Sequence, residues 1–284
     1  MRSILHCLFL LLLTAFAVVC AQTNSSGAVW ATPHDSYSSS IGVLGCKIDT
    51  DRVAYWPGSV DCSNICVSLS YEGRSVKLLR VDQSQGAFDI SYDAWNYLYT
   101  GYSATKKPTS GGPVAMNYEN VDASECQDLL HTDGHKLPLS AANSINFLAS
   151  CLDGDTWVGK NYVLFNILDS LCSWGHDEEC TLDWPTANQP TCPNTLGAPV
   201  ALTTDPVYDV KYPSGQKVDA ATGQAVNERD GGDSSNSYST AGSNDDSDEK
   251  EGRAPGRTAP SLHVLAFSIA VPGLLFPFFS TSFR

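Results

Sequence analysis

Apolar and small or polar side chains alternate from Ile65 to Tyr71, with Ile65, Val67, Leu69 and Tyr71 on one side, the two-residue period of a strand with one buried face. Glu72 and Gly73 supply a turn. The following run, Ser75 to Asp82, is apolar at Val76, Leu78, Leu79 and Val81, as expected of a strand buried more fully. A loop through Gly86 leads to a short strand, Ala87 to Ile90. Ser91 is then placed to cap a helix over residues 92–99, with Asp93 in its first turn, Trp95 and Leu98 on one face and Gly101 to close it. Val114 to Val121 reads as a further strand before Cys126. Beyond it the period lengthens. Ser140 is the expected cap of a helix carrying Ile145, Leu148, Ala149 and Leu152, and Thr156 that of a second carrying Trp157, Asn161, Leu164, Phe165, Leu168 and Cys172.

The ends read as addresses. Arg2 precedes an apolar run from Leu8 to Leu13 that closes on Val19, Cys20 and Ala21, a secretory leader over residues 1–21. At the other end the apolar segment from Leu262 to Phe279 carries Pro272, Gly273 and Pro277, and only Arg284 is charged after it. A spanning helix normally has several basic residues there, so the tail predicts a glycosylphosphatidylinositol (GPI) attachment signal over residues 253–284. Gly252 is the expected attachment site, with Asn244 and Ser243 as alternatives. Asn24 is the predicted N-glycosylation site.

Outside the leader the chain holds Cys46, Cys62, Cys66, Cys126, Cys151, Cys172, Cys180 and Cys192. An even set in an oxidising compartment predicts a disulfide framework whose pairing is open. A zinc site is not expected, because no second close pair completes Cys62 and Cys66. His131 and His135 sit in a Gly- and Pro-bounded loop rather than on a helix face, so no metal is predicted there. Neither a nucleophile elbow nor a spare thiol is present, and no cofactor is expected. The stretch 200–252, rich in Asp, Ser and Gly, predicts a disordered stalk. The net charge of −14 and the lack of a basic stripe exclude nucleic acid as a partner.

Gly73 to Leu98, GRSVKLLRVDQSQGAFDISYDAWNYL, resembles the central part of the double-psi β-barrel shared by cerato-platanins, barwin-like proteins and expansins. The features that carry the likeness are Cys66, Gly73, Val81, Asp82, Gly86, Asp89, Ile90, Asp93 and Ala94. The likeness to fungal cerato-platanins runs from about Tyr37 to Cys126, with Tyr37 to Cys46 taken as the first strand and Val121 to Ala123 as the last. Eight cysteines in place of four, the added segment 127–192 and the anchor set this chain apart. The resemblance implies a mainly β fold, a six-stranded double-psi barrel over 27–126, and the helical spacing beyond it predicts a disulfide-linked α-helical extension over 127–199. The resemblance further implies a groove that binds chitin- or β-glucan-type polysaccharide without hydrolysis. Asp82, Gln83 and Asp89 would hydrogen-bond the sugar, with Tyr92 and Trp56 as aromatic faces; Trp95 is expected in the core. Two alternatives come with it: an expansin-like loosening protein or glycoside hydrolase with Asp82 and Asp89 as catalytic carboxylates, and a structural or protein-binding surface module. The expected location is extracellular, on the outer membrane leaflet or in the wall.

Overall fold

A strand whose apolar run covers both faces has to be covered on both, and Val53–Pro57 is such a strand, buried at its first four positions. The computed structural model describes residues 25–226. The leader, Asn24, Ser243, Asn244, Gly252 and the attachment segment lie outside the described residues. Six strands close into a barrel: β1 (Ser26–His34), β2 (Val53–Pro57), β3 (Cys66–Tyr71), β4 (Arg74–Ser84), β5 (Phe88–Ser91) and β6 (Val114–Asn120). Their order around the barrel is β1-β5-β2-β4-β3-β6, with β1–β5 and β2–β4 parallel and the other pairs antiparallel.

Strands β3 to β6 and helix α1 (Tyr92–Thr100) fall where the sequence periodicity puts them. Gly101 ends α1 with φ 83° and returns its N–H to the Tyr97 carbonyl. Ser91 stands at the N-cap but does not cap through its side chain, which donates instead to the Asp51 carbonyl. Asp93 ties the first turn down by accepting from Ser103 Oγ at 2.6 Å, the Ala104 N–H at 2.7 Å and Arg52 at 2.9 Å. Trp95 is fully buried as expected, donating Nε1–H to the Ala31 carbonyl at 3.1 Å.

The first and last strands are corrections. The first is β1, upstream of the segment the resemblance assigned; residues 37–46 instead run over the outside of the barrel and bury Tyr37, Ile41, Val43 and Leu44 there. The last is β6, and Val121 to Ala123 leads into a 3-10 turn, Ala123–Leu129, whose start is capped by Asp122 accepting the Ser124 N–H.

Two cores result. Inside the barrel pack Val29, Ala54, Trp56, Leu69, Leu78, Ile90 and Met116. Outside it, Val53, Tyr55, Leu79 and Val81 of β2 and β4 form a common cluster with Val43, Leu44, Leu139, Leu148, Leu164 and Ile167. That second cluster is built by the extension, which is not the helical unit the sequence predicts. It is β7 (Leu137–Ser140), α2 (Ile145–Leu152), α3 (Trp157–Lys160), β8 (Tyr162–Ile167) and β9 (Gly175–Cys180), with a sheet ordered β7-β8-β9. Thr156 does cap, accepting the Gly159 N–H at 3.0 Å, but for one turn only. The run Tyr162, Val163, Leu164, Phe165 is rich in β-branched and aromatic residues, and pairing with β7 and β9 on its two sides overrides its helical spacing. Ser140 ends β7 and donates to the Ile167 carbonyl, while α2 starts after Ser144.

The ordered chain also continues past residue 200, where the sequence reading begins its stalk. A hairpin of β10 (Tyr208–Lys211) and β11 (Gln216–Asp219) buries Val207, Val210 and Val218. Asp209 accepts the Tyr37 N–H at 2.8 Å, and Tyr212 Oη donates to the Gly111 carbonyl at 2.6 Å. Gly215 turns the hairpin at φ 70°, where a Cβ would lie 2.2 Å from the Ala104 carbonyl oxygen. Averaged over fifty residues, three valines and a few polar anchors vanish into an acidic composition.

All eight cysteines pair: Cys46–Cys172, Cys62–Cys151, Cys66–Cys126 and Cys180–Cys192. The first two fasten the extension to loops that flank the barrel. Chain entropy ranks them by loop length. Paired Cys→Ser replacement at 46 and 172, 126 residues apart, is expected to cost about 5 kcal/mol, against about 3 kcal/mol at 180 and 192, 12 apart. Denaturant unfolding of the two double variants checks that order; equal losses would contradict it.

Candidate functional site

Strand β2 separates the two expected carboxylates. Tyr55 is registered with Asp82 on β4 on one side and with Asp89 on β5 on the other. With neighbouring strands ~4.8 Å apart, the two aspartate backbones stand ~10 Å from each other. Each carboxylate already holds a local donor. Asp82 accepts from Ser38 Oγ at 2.6 Å and from the Gln83 N–H at 2.8 Å, and Asp89 accepts from Thr32 Oγ1. Tyr55 is buried, with the His34 ring 4.5 Å from its own. Burial pushes its phenol above the ordinary range, with Asp209, Asp82 and Asp89 adding to the effect. The hollow beside it, lined by His34, Asp35, Tyr37 and Asp209 among others, measures about 20 Å³, room for about a single water.

The remaining candidates lie elsewhere. Trp56 and Tyr92 are core residues, 4% and 1% exposed, so neither presents a face to a sugar. Tyr92 Oη donates to the Thr109 carbonyl at 3.0 Å and accepts the Thr109 N–H at 2.9 Å. Gln83 is exposed but registered with Trp56, one residue along β2 from Tyr55 and so on the other face of the wall. A bulge in β4 opposite Ala54 and Tyr55 sets this division. His135 Nδ1 lies 3.1 Å from the Gln127 and Leu130 carbonyls. Among the described residues no group of three or more His, Cys, Asp or Glu side chains is placed to hold a metal ion.

Sequence reasoning missed three features. Trp30 is two-thirds exposed on β1, registered with Ala115 of β6. Arg80 places a guanidinium 5.5 Å from the Trp56 ring. A charged residue set between apolar Leu79 and Val81 was the signal for it. The third is a cavity of about 810 Å³ between the segment 45–51 and the β10–β11 hairpin, lined by Ile48, Asp51, Val207, Val210 and Lys217 among others. No local motif marks it, since the hairpin comes from far along the chain.

Asp51 in that cavity titrates at about 6 in place of 3.8, chiefly because it is buried, with Asp93 and Asp49 adding repulsion. The folded state therefore binds the proton more tightly than the unfolded chain. The stabilisation is complete below about pH 4 and is lost as pH rises through about 6. Asp51→Asn is expected to raise the melting temperature at pH 7.5, by stability on the order of 2 kcal/mol, with the gain shrinking towards pH 4. Melts of both proteins across that range check it; a gain independent of pH would contradict the assignment.

A closed six-stranded mixed β-barrel bound by disulfides defines the class of this fold. Residues 18–129 match the family model described as Cerato-platanin, so the barrel is a cerato-platanin family domain set in a longer chain. No curated protein and no solved structure matches the chain.

Proposed function

We propose that the protein is secreted, held at the cell surface, and binds chitin- or β-glucan-type polysaccharide without hydrolysing it. The match of the barrel to the cerato-platanin family carries this reading. Four disulfides suit an extracellular setting. The geometry of the two aspartates favours binding over cleavage. Glycoside hydrolysis needs two carboxyls opposed across a sugar, at about 5–5.5 Å or 6.5–9.5 Å. Here both point beside a buried tyrosine and are engaged with Ser38 and Thr32. Trp30 supplies the flat exposed ring that polysaccharide faces stack on, with small Ala115 beside it.

Pull-down on insoluble chitin and β-glucan, run beside a reducing-sugar assay, tests the reading. Retention on one polymer without release of sugar is the expected result, and Trp30→Ala is expected to weaken retention several-fold. Sugar release that disappears in Asp89→Asn would replace this reading by the hydrolytic one. Retention on neither polymer would leave a structural or protein-binding surface module.

The surface attachment rests on the apolar tail from Leu262 to Phe279 with its unflanked end. Phosphatidylinositol-specific phospholipase, or glucanase for a wall-linked form, is expected to release a product ending near Gly252. A surface protein whose C-terminal peptide still contains Arg284 would contradict it.

A further inference from the structure

The cavity between residues 45–51 and the β10–β11 hairpin holds about 810 Å³, a volume usual for a small-molecule site. Its hairpin wall, residues 206–217 with Val226, lies beyond residues 18–129, so the family barrel alone does not make it. The lining is mixed. Buried Ile48, Val207 and Val210 form an apolar side, while Thr50, Thr105 and Gln216 bring hydroxyl and amide groups. Two lining residues carry charge, Asp51 and Lys217.

Asp51 is half-buried, and its carboxylate has neither a hydrogen bond nor an ion pair among the described residues. The bonds this residue makes run through its backbone: its N–H donates to Asp49, and its carbonyl accepts from Arg52 and Ser91. The two cations that act on its charge are turned elsewhere. Arg52 pairs with Asp93 at 2.9 Å, and the Lys217 ammonium lies over the Tyr208 ring, 4.1 Å from its centroid. Burial without a donor raises the carboxyl, and Asp93 and Asp49 add repulsion, so the site carries an unmatched demand for positive charge. Asp51 also borders the hollow of about 20 Å³ beside Tyr55, which admits about one water. A larger ligand reaches it only from the large cavity.

We infer that this cavity binds an organic ammonium, a protonated amine that pairs with Asp51 while its carbon body lies against Ile48, Val207 and Val210. An ammonium supplies both the charge and the N–H donors that the carboxylate lacks. A metal ion would need further ligands, and among the described residues no group of three or more His, Cys, Asp or Glu gathers to provide them. An anion would meet Asp51 with Asp49 and Asp93 behind it, in a chain whose net charge of −14 draws cations. The amine can be carried by an apolar body or by a sugar, since the lining offers both apolar side chains and hydroxyls. Nothing in this site depends on the polysaccharide reading.

Titration calorimetry of the full chain at pH 6.5 tests it, with phenethylamine beside phenethyl alcohol and a glucosamine trimer beside its N-acetylated form. At least one amine is expected to bind about tenfold more tightly than its uncharged counterpart, and the amine preferred identifies the body as apolar or sugar. Asp51→Asn is expected to remove that preference. Because the same variant is expected to melt no lower than the wild type, unfolding would not account for the loss. Lys217→Gln, which takes a competing cation out of the cavity, is expected to tighten amine binding several-fold. No amine binding, equal binding of each amine and its counterpart, a preference that survives Asp51→Asn, or weaker amine binding by Lys217→Gln would each overturn the proposal. Retention on insoluble chitin or β-glucan, which tests the polysaccharide reading, is expected to be the same in Asp51→Asn as in the wild type, so the two readings fail separately.

Discussion

The burial of β2 on both faces is the constraint from which the rest of the structure follows. Ala54 and Trp56 fill the barrel; Val53 and Tyr55, together with Leu79 and Val81 of β4, leave the other side of the wall apolar. An uncovered wall of this kind would expose a contiguous apolar patch, which a monomeric protein avoids. The segment 37–48, the β7-β8-β9 sheet with α2, and the β10–β11 hairpin supply the cover. Cys46–Cys172 and Cys62–Cys151 hold the extension to the loops beside that wall. The extension is therefore the second half of a shared core, and the family domain is a part of this fold rather than the whole of it.

That cover decides which surfaces remain for ligands. Asp82 and Asp89 sit beside Tyr55, Asp82 held by Ser38 and Asp89 by Thr32. The hollow on the same side of Tyr55, lined by His34, Tyr37 and Asp209, holds about 20 Å³ and is lined by neither Asp82 nor Asp89. The outer face of β1, where Trp30 stands clear, is left uncovered.

The sequence was legible where structure is local. Strands β3 to β6 announce themselves by a two-residue period between turn residues, and α1 by Asp93, its Trp95–Leu98 face and Gly101. It was illegible where long-range pairing decides. In β1 only small Ala31 and Val29 point inward while Trp30 points out, so the pattern carries little apolar contrast. β8 has helical spacing as well as β-branched and aromatic residues, and its two sheet neighbours settle the choice. The candidate carboxylates were read by type, but their relation to Trp56 and Gln83 turns on one bulge opposite Tyr55, which no spacing rule reveals. The likeness found Asp89 and passed over Arg80, whose meaning depends on which face of β4 it occupies.

A truncation measures the dependence of the barrel on its cover directly. The chain from residue 22 to 226 and a shorter chain ending at 129, with Cys46 and Cys62 changed to Ser to remove unpaired thiols, are compared by thermal melting and amide hydrogen exchange. The account predicts that the longer chain melts in one cooperative transition. It predicts that the shorter one, with the outer face of β2 and β4 open to water, loses exchange protection at Val53, Tyr55, Leu79 and Val81 and melts without a sharp transition. A shorter chain that melts cooperatively near the same temperature, with β2 amides still protected, would contradict the claim that the two halves share a core.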